Sequence, residues 1–322
     1  MNWNGVMPAI TTSFTEDLRV DHKFVASHCQ WLLENGCTGI VALGSLGEGA
    51  ALSFEEKREI LGTCVAAVNG RGPVVAAISA LTTREAVAQA QAASQEGCDA
   101  LMVLPPYVYQ GSWREMKAHV AEVFRATELS CMLYNNPVAY GTDFLPEQIV
   151  ELAEQYENFE AVKESSTDAR RVSAVRALLG HRLQISVGVD DAVLEAIGVG
   201  ATGWIAGLAN ALPRESVDLF HLGITGQGEK AFELYRWFLP LLRMDTTANF
   251  VQLIKLVQTE VGAGNARVRP PRLQLVGEEL EQTKAIIQQA LRTRPQVATS
   301  GAWLHGNQSG QPLRPSRVDA AL

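Results

Sequence analysis

The chain has 322 residues, 47% of them hydrophobic and 19% charged, which is enough apolar material for a sizeable core and excludes global disorder. Its formal charge of −8 lacks the basic footprint that general nucleic-acid binding requires, yet a few local donors can still hold a small anion. The five cysteines, Cys29, Cys37, Cys64, Cys98 and Cys131, are odd in number, widely spaced and without a CxxC, so they read as reduced cytosolic thiols and small buried hydrophobes.

No basic region followed by an apolar stretch opens the sequence, and no apolar run approaches the ~18 residues of a membrane span. The expectation is a cytoplasmic protein with neither signal peptide nor membrane anchor. No Walker A sequence and no metal-type His/Cys/Asp spacing occurs, so neither metal nor diffusible cofactor is expected.

In chain order, short apolar runs alternate with longer helical patterns. Strands are predicted at residues 6–11, 39–43, 74–78, 100–104, 131–134, 159–163, 184–187 and 203–206. Several of these runs are apolar at nearly every position, as parallel strands buried on both faces are. The helix predicted at 54–68 opens after Ser53, and Glu56 completes a capping box. Helices at 83–96 and 112–127 follow, and Pro146 stands where a further helix would begin. Gly36 and Gly97 each precede a strand, as glycines that end a helix and return the chain to a sheet do. His22 and His28 are read as lying on a surface helix, while Trp31, Trp113 and Trp237 fall within helical patterns as core residues.

Eight βα units in one chain predict an α/β protein, a closed (β/α)8 (TIM) barrel over residues 1–220. A C-terminal helical extension follows over 221–295, with helices at 229–242, 248–261 and 278–291. From residue 296 the chain is rich in Gly, Ser, Pro, Gln and Asn and loses periodicity, so 296–322 is expected to be a disordered tail. The Asn307-Gln308-Ser309 sequon in that tail carries no weight without a secretion signal. The GxGxxG match Gly198–Gly203 precedes a strand instead of following one, the reverse of a dinucleotide fingerprint.

Barrel enzymes carry their chemistry at the C-terminal ends of the strands. Lys163 closes the sixth run. If alternation puts Phe159, Ala161 and Lys163 on one inward face, its amine enters the mouth, loses water and becomes a nucleophile; the alternative is a loop lysine after the strand. Tyr134 closes the fifth run, either as a proton shuttle beside Lys163 or as a core tyrosine. Gly44-Ser45-Leu46-Gly47-Glu48-Gly49 follows the second run, either as a carboxylate cradle or as a tight turn. Asp190 and Asp191 follow the seventh, to bind hydroxyls or an amine, or to cap a helix.

At Tyr134-Asn135-Asn136-Pro137, Lys163-Glu164-Ser165-Ser166 and Gly44–Glu48 the sequence resembles the dihydrodipicolinate synthase/N-acetylneuraminate lyase family over roughly residues 3–293. The resemblance implies a TIM barrel with a helical extension, usually a homotetramer built from dimers. It implies Lys163 as the Schiff-base lysine, Tyr134 as the proton shuttle and Ser45 in the carboxylate site. The substrate site is expected to include Ser45, Leu46, Gly188, Asp190, Asp191, Ile205 and Tyr140.

Three departures separate the chain from dihydrodipicolinate synthases. Their two loop threonines are Ser45 and Leu46 here; the arginine after their YN-x-P motif is missing from 136–141, where Tyr140 stands; and Val108, flanked by Tyr107 and Tyr109, replaces their relay tyrosine. With Arg269-Pro270-Pro271-Arg272, the combination resembles the 1-pyrroline-4-hydroxy-2-carboxylate deaminases. The competing readings are a 2-keto-3-deoxy sugar acid aldolase or dehydratase, a dihydrodipicolinate synthase-like aldolase and, outside enzymes, a 2-oxo acid sensor.

Overall fold

The structure, a computed structural model, describes residues 1–295; the expected tail 296–322 and its sequon lie outside the described residues. The eight strands are β1 (Gly5–Pro8), β2 (Ile40–Ala42), β3 (Val74–Ile78), β4 (Ala100–Val103), β5 (Ser130–Asn135), β6 (Phe159–Glu164), β7 (Gln184–Val187) and β8 (Gly203–Ala206). All pair in parallel in the order β1-β8-β7-β6-β5-β4-β3-β2, and a single bridge between Ala9 and Val41 closes the ring. A ring of parallel strands surrounded by helices is the expected (β/α)8 barrel. Its strands are apolar throughout because both faces are covered: β3, Val-Val-Ala-Ala-Ile, is buried at every position.

The helices are α1 (His22–Glu34), α2 (Phe54–Val68), α3 (Thr83–Gln95), α4 (Trp113–Arg125), the short α5 (Pro137–Tyr140), α6 (Pro146–Gln155), α7 (Arg170–Leu179), α8 (Val193–Gly198) and α9 (Pro213–Ile224). The Ser53/Glu56 capping box forms, Pro146 opens α6, and Gly36 and Gly97 take positive φ of 92° and 84°. Helix α9 crosses the expected boundary at 220/221. Beyond it lie α10 (Gly228–Leu242), α11 (Phe250–Glu260) and α12 (Gly277–Arg292). No helix among the described residues is long and apolar enough to cross a membrane.

Two readings of side-chain placement are corrected. His28 is buried, not on the surface: its Nε2 donates to Asn210 Oδ1 at 3.0 Å, and burial pushes its pKa down to about 4, so the ring is a neutral donor. Strand β6 does not alternate simply either. Phe159 pairs with Cys131 but Ala161 pairs with Met132, so the register shifts by one residue at Glu160. Phe159 therefore turns outward and stacks on Phe124 of α4, with ring centroids 5.2 Å apart. Beyond the shift Lys163 pairs with Tyr134 on one side and Ser186 on the other, which sets the three side chains in one layer.

The extension is locked onto the barrel mouth by a buried ion pair. Lys255 of α11, 1% exposed, donates to Glu48 Oε1 at 2.5 Å and to the Arg267 carbonyl at 2.6 Å. Glu48 Oε2 accepts from the Arg269 amide at 2.9 Å. Arg269 in turn forks onto Glu56 and the Leu18 carbonyl. Both cations lie over the Phe14 ring, at 4.5 and 4.7 Å from its centroid. Removing one partner of such a pair strands a buried charge. Lys255→Met is therefore expected to lower the unfolding free energy by about 3–5 kcal/mol, read by urea denaturation; a loss below about 1 kcal/mol would mean that Glu48 is satisfied without the lysine.

Candidate active site

A cavity of about 620 Å³ opens at the C-terminal ends of the strands. Lys163 enters it from β6 and is only 6% exposed. Its Nζ sits over the Tyr134 ring, 4.0 Å from the centroid, and makes no hydrogen bond among the described residues. Burial holds the Lys163 pKa below the ordinary lysine range, against an opposing pull from the Asp245 charge first, then Tyr140 and Asp190. Desolvation without a hydrogen-bonded counter-ion favours the free amine, the form that attacks an electrophilic carbon.

Space for that amine depends on glycine. A methyl group on Gly188 would lie 2.1 Å from Ser165 Oγ and 2.3 Å from Lys163 Cε. Lys163 Cε belongs to a flexible side chain that borders the cavity, so the lysine is the neighbour that such a methyl group would push aside.

Two phenols face the amine. Tyr134 accepts from Asn136 Nδ2 at 3.0 Å, which leaves its own proton free for the cavity. Asn136 also caps α5 by accepting from the Ala139 amide, so the YNNP segment builds both the tyrosine's support and the short helix that carries Tyr140. The Tyr140 hydroxyl makes a short hydrogen bond to Ser45 Oγ, and its ring meets Tyr134 edge-on at 5.8 Å. Burial raises both phenol pKa values, so both remain protonated near neutrality.

The Ser45 turn is held by close backbone contacts. Leu43 (φ 67°) and Glu48 (φ 56°) adopt the left-handed region, and a methyl group on Gly49 would lie 2.1 Å from the Leu43 carbonyl oxygen. Buried Glu48 is the residue that ties this turn to Lys255 and Arg269. The extension thus fixes the serine from behind.

Of the residues expected from the sequence, Lys163, Tyr134, Ser45, Leu46, Gly188, Ile205 and Tyr140 line this one cavity. Asp190 and Asp191 do not. The Asp190 carboxylate is fully buried and consumed by the Trp204 indole at 2.9 Å and the amides of Gly207 and Leu208, with 2.7 Å to the latter. It caps the turn after β8, and burial pushes its pKa up to about 6. Asp191 faces Arg243 at 3.8 Å. Sequence reasoning missed Asp245, Thr246 and Thr247, which line the cavity from the extension, and Met102 from the barrel; Arg272 and Ser165, quoted only within the motifs that carry the family resemblance, line it as well. The one available signal was the polar break at 243–247 between two apolar helices.

A dry, unpaired amine where a barrel keeps its reacting groups is the equipment of a class I lyase, an enzyme that works through a Schiff base. The chain matches the model of the Dihydrodipicolinate synthetase family over residues 2–290 and belongs to that family. It is 34% identical to a 4-hydroxy-tetrahydrodipicolinate synthase of Mesorhizobium japonicum, over 74% of this chain and 81% of the relative. It is 32% identical to the enzyme of the same name from Methanopyrus kandleri, over 89% and 95%. Among solved structures, the chloride-inhibited dihydrodipicolinate synthase from Acinetobacter baumannii complexed with pyruvate aligns with a TM-score of 0.86 at 27% identity, covering 90% of this chain and 99% of that one.

Gly188→Ala is expected to keep the fold while displacing the Lys163 side chain, with kcat/KM falling at least ~100-fold. Steady-state kinetics beside a thermal melt measures this, and a variant with wild-type kcat/KM would show that the space beside Lys163 is not needed.

Proposed function

We propose that Lys163 forms a Schiff base with C2 of a small 2-oxo or cyclic 2-imino carboxylate, and that the reaction is deamination of 1-pyrroline-4-hydroxy-2-carboxylate to 2-oxoglutarate semialdehyde and ammonia. The observation that carries this reading is the buried Lys163 amine, without a hydrogen-bond partner among the described residues, in one cavity with Ser45 and two protonated phenols.

The free amine adds to C2 of the cyclic imine, and the ring nitrogen leaves C2 as a primary amine on C5. The iminium on Lys163 is an electron sink, so C3 loses a proton. Tyr134 lies against Lys163 and, with a bound water, provides the route for that proton. The C4 hydroxyl departs as water. Proton shifts through the conjugated system convert the C5 amine into an imine, and one water hydrolyses it to aldehyde and ammonia. A second water releases the 2-oxo acid from Lys163. One water is lost and two are taken up, so the overall reaction consumes one. Ser45 and neighbouring amides hold the C1 carboxylate.

A second reading is an aldolase that adds pyruvate to an aldehyde. It is favoured by the relatives named 4-hydroxy-tetrahydrodipicolinate synthase and by the pyruvate complex. Against it stand Leu46 and Tyr140 in the cavity and the lone Val108, 76% exposed, where those enzymes carry a second threonine, an arginine and a tyrosine.

Borohydride reduction in the presence of substrate is expected to leave the adduct mass on a Lys163 peptide, with an acid limb of trapping below the ordinary lysine range. The proposed reaction gives one ammonia per substrate and no pyruvate. An adduct elsewhere, or full activity in Lys163→Ala, rejects the Schiff base; pyruvate release without ammonia rejects the deamination alone.

We further propose assembly as a homodimer or homotetramer. Leu81, Val108, Tyr109 and Val138 leave apolar side chains exposed, the largest at 76% and 71% for Val108 and Val138, beside Tyr107 and Ala139 of the mouth. Sedimentation velocity is expected to give a species of two or four chains; a monomer at micromolar concentration contradicts this.

A further inference from the structure

Asp245 stands in the segment Arg243–Thr246, between α10 and α11, and lines the cavity that holds Lys163. It lies against the end of β8: a methyl group on Gly207 would be 2.3 Å from its Oδ1. Among the described residues no side chain donates to its carboxylate, and the Asp190 backbone amide lies near enough to draw its pKa down against burial. The charged and titratable groups around it are Lys163, Tyr134, Asp190 and Asp191. Of the charges acting on Lys163, that of Asp245 is the strongest. Asp190 also faces the lysine electrostatically, but its oxygens are taken by the indole and two amides. Asp245 is thus the carboxylate at this site with acceptor capacity to spare.

We propose that Asp245 is a catalytic residue that carries the proton from the attacking Lys163 nitrogen to the atom that leaves C2. This rests on the reading of Lys163 as the nucleophile. The geometric reason is that both atoms are bonded to C2 in the adduct, so they lie within about 2.5 Å of one another, and Asp245, which lines the same cavity without forming an ion pair with Nζ among the described residues, reaches both through one bridging water. When Nζ adds to a protonated cyclic imine, the N–C bond forms and the π pair moves to the ring nitrogen. Nζ then bears two hydrogens and a positive charge. Asp245 takes one of these protons and returns it to the ring nitrogen; the C–N bond breaks, and the lone pair on Nζ closes the iminium. With a 2-oxo acid the same transfer runs from Nζ to oxygen, and a second proton, from the Tyr134 phenol, lets that oxygen leave as water. Burial and the neighbouring Asp190 charge raise the Asp245 pKa well above the usual carboxylate range, which suits a group that both takes and gives a proton near neutrality.

The test tracks formation of the Schiff base in single turnover with pyruvate as the probe, by borohydride quench and mass spectrometry of the Lys163 peptide across pH. Asp245→Asn is expected to slow trapping at neutral pH by about 100-fold. Asp245→Glu, which keeps the carboxyl, is expected to recover at least ten-fold of that loss, and added acetate to accelerate trapping in Asp245→Gly. A purely electrostatic neighbour predicts the opposite sign: removing its negative charge lowers the Lys163 pKa, enlarges the free-amine fraction and speeds trapping. Trapping by Asp245→Asn at or above the wild-type rate therefore overturns the proposal. If Asp245→Asn fails to fold, the glycine variant decides: no acceleration by acetate overturns it. Because the probe yields no ammonia, a failed deamination assay leaves this result standing.

Discussion

Everything at this mouth is organised around keeping an amine dry without giving it a hydrogen-bonded counter-ion. An ammonium taken out of water demands compensation, and proteins supply it with a carboxylate and hydrogen bonds or else let the proton go. The chain does both, a short distance apart. Lys255 is buried and satisfied by Glu48 and the Arg267 carbonyl. Lys163 is buried and left over the face of an aromatic ring. Burial pulls both amines down, but at Lys255 the adjacent carboxylate works against it at 2.5 Å. The first lysine is structural and the second is available for chemistry, and the difference is the placement of one glutamate.

That glutamate also connects fold to site. Glu48 belongs to the Ser45 turn, so the ion pair that docks α11 also fixes the hydroxyl proposed to hold the substrate carboxylate. Such a turn, with two non-glycine residues at positive φ, needs external support, and here the extension supplies it. The active site is therefore not finished when the eighth strand closes. Folding of the barrel without α11 would leave Glu48 buried and unpaired or, more cheaply, hydrated, with the turn released.

Much of this was legible in the sequence because parallel strands leave a strong signal. Their two covered faces demand unbroken apolar runs, and β3, β7 and β8 fall on the expected residues. The inward lysine was legible as the polar end of such a run. The cause of its inward direction was not: the register shift at Glu160 sends Phe159 outward, and nothing in Phe159-Glu160-Ala161 announces a bulge. Asp190 and Asp191 misled for a related reason. A carboxylate after a strand has two fates, facing the ligand or capping backbone amides, and composition is the same for both. Asp245 was not assigned because the polar break at 243–247 marks a turn far along the chain without showing where it lies, and only tertiary packing brings it beside β8.

The division of labour that results has a physical logic. The strand ends carry Lys163 and Tyr134, which need sub-ångström placement and get it from the paired ladder. Asp245, Thr246, Thr247 and Arg272 come from the extension and line the same cavity. Residues on connecting segments change without disturbing the barrel ladder. The Arg272 guanidinium illustrates this: it lines the cavity with no hydrogen bond or ion pair of its own among the described residues, so its donors remain for a ligand. A barrel that keeps its Schiff-base layer fixed while its extension varies retains the first covalent step and alters the later bond-making and bond-breaking. Solved structures at about 30% identity share this fold closely, and a shared fold does not by itself fix the reaction.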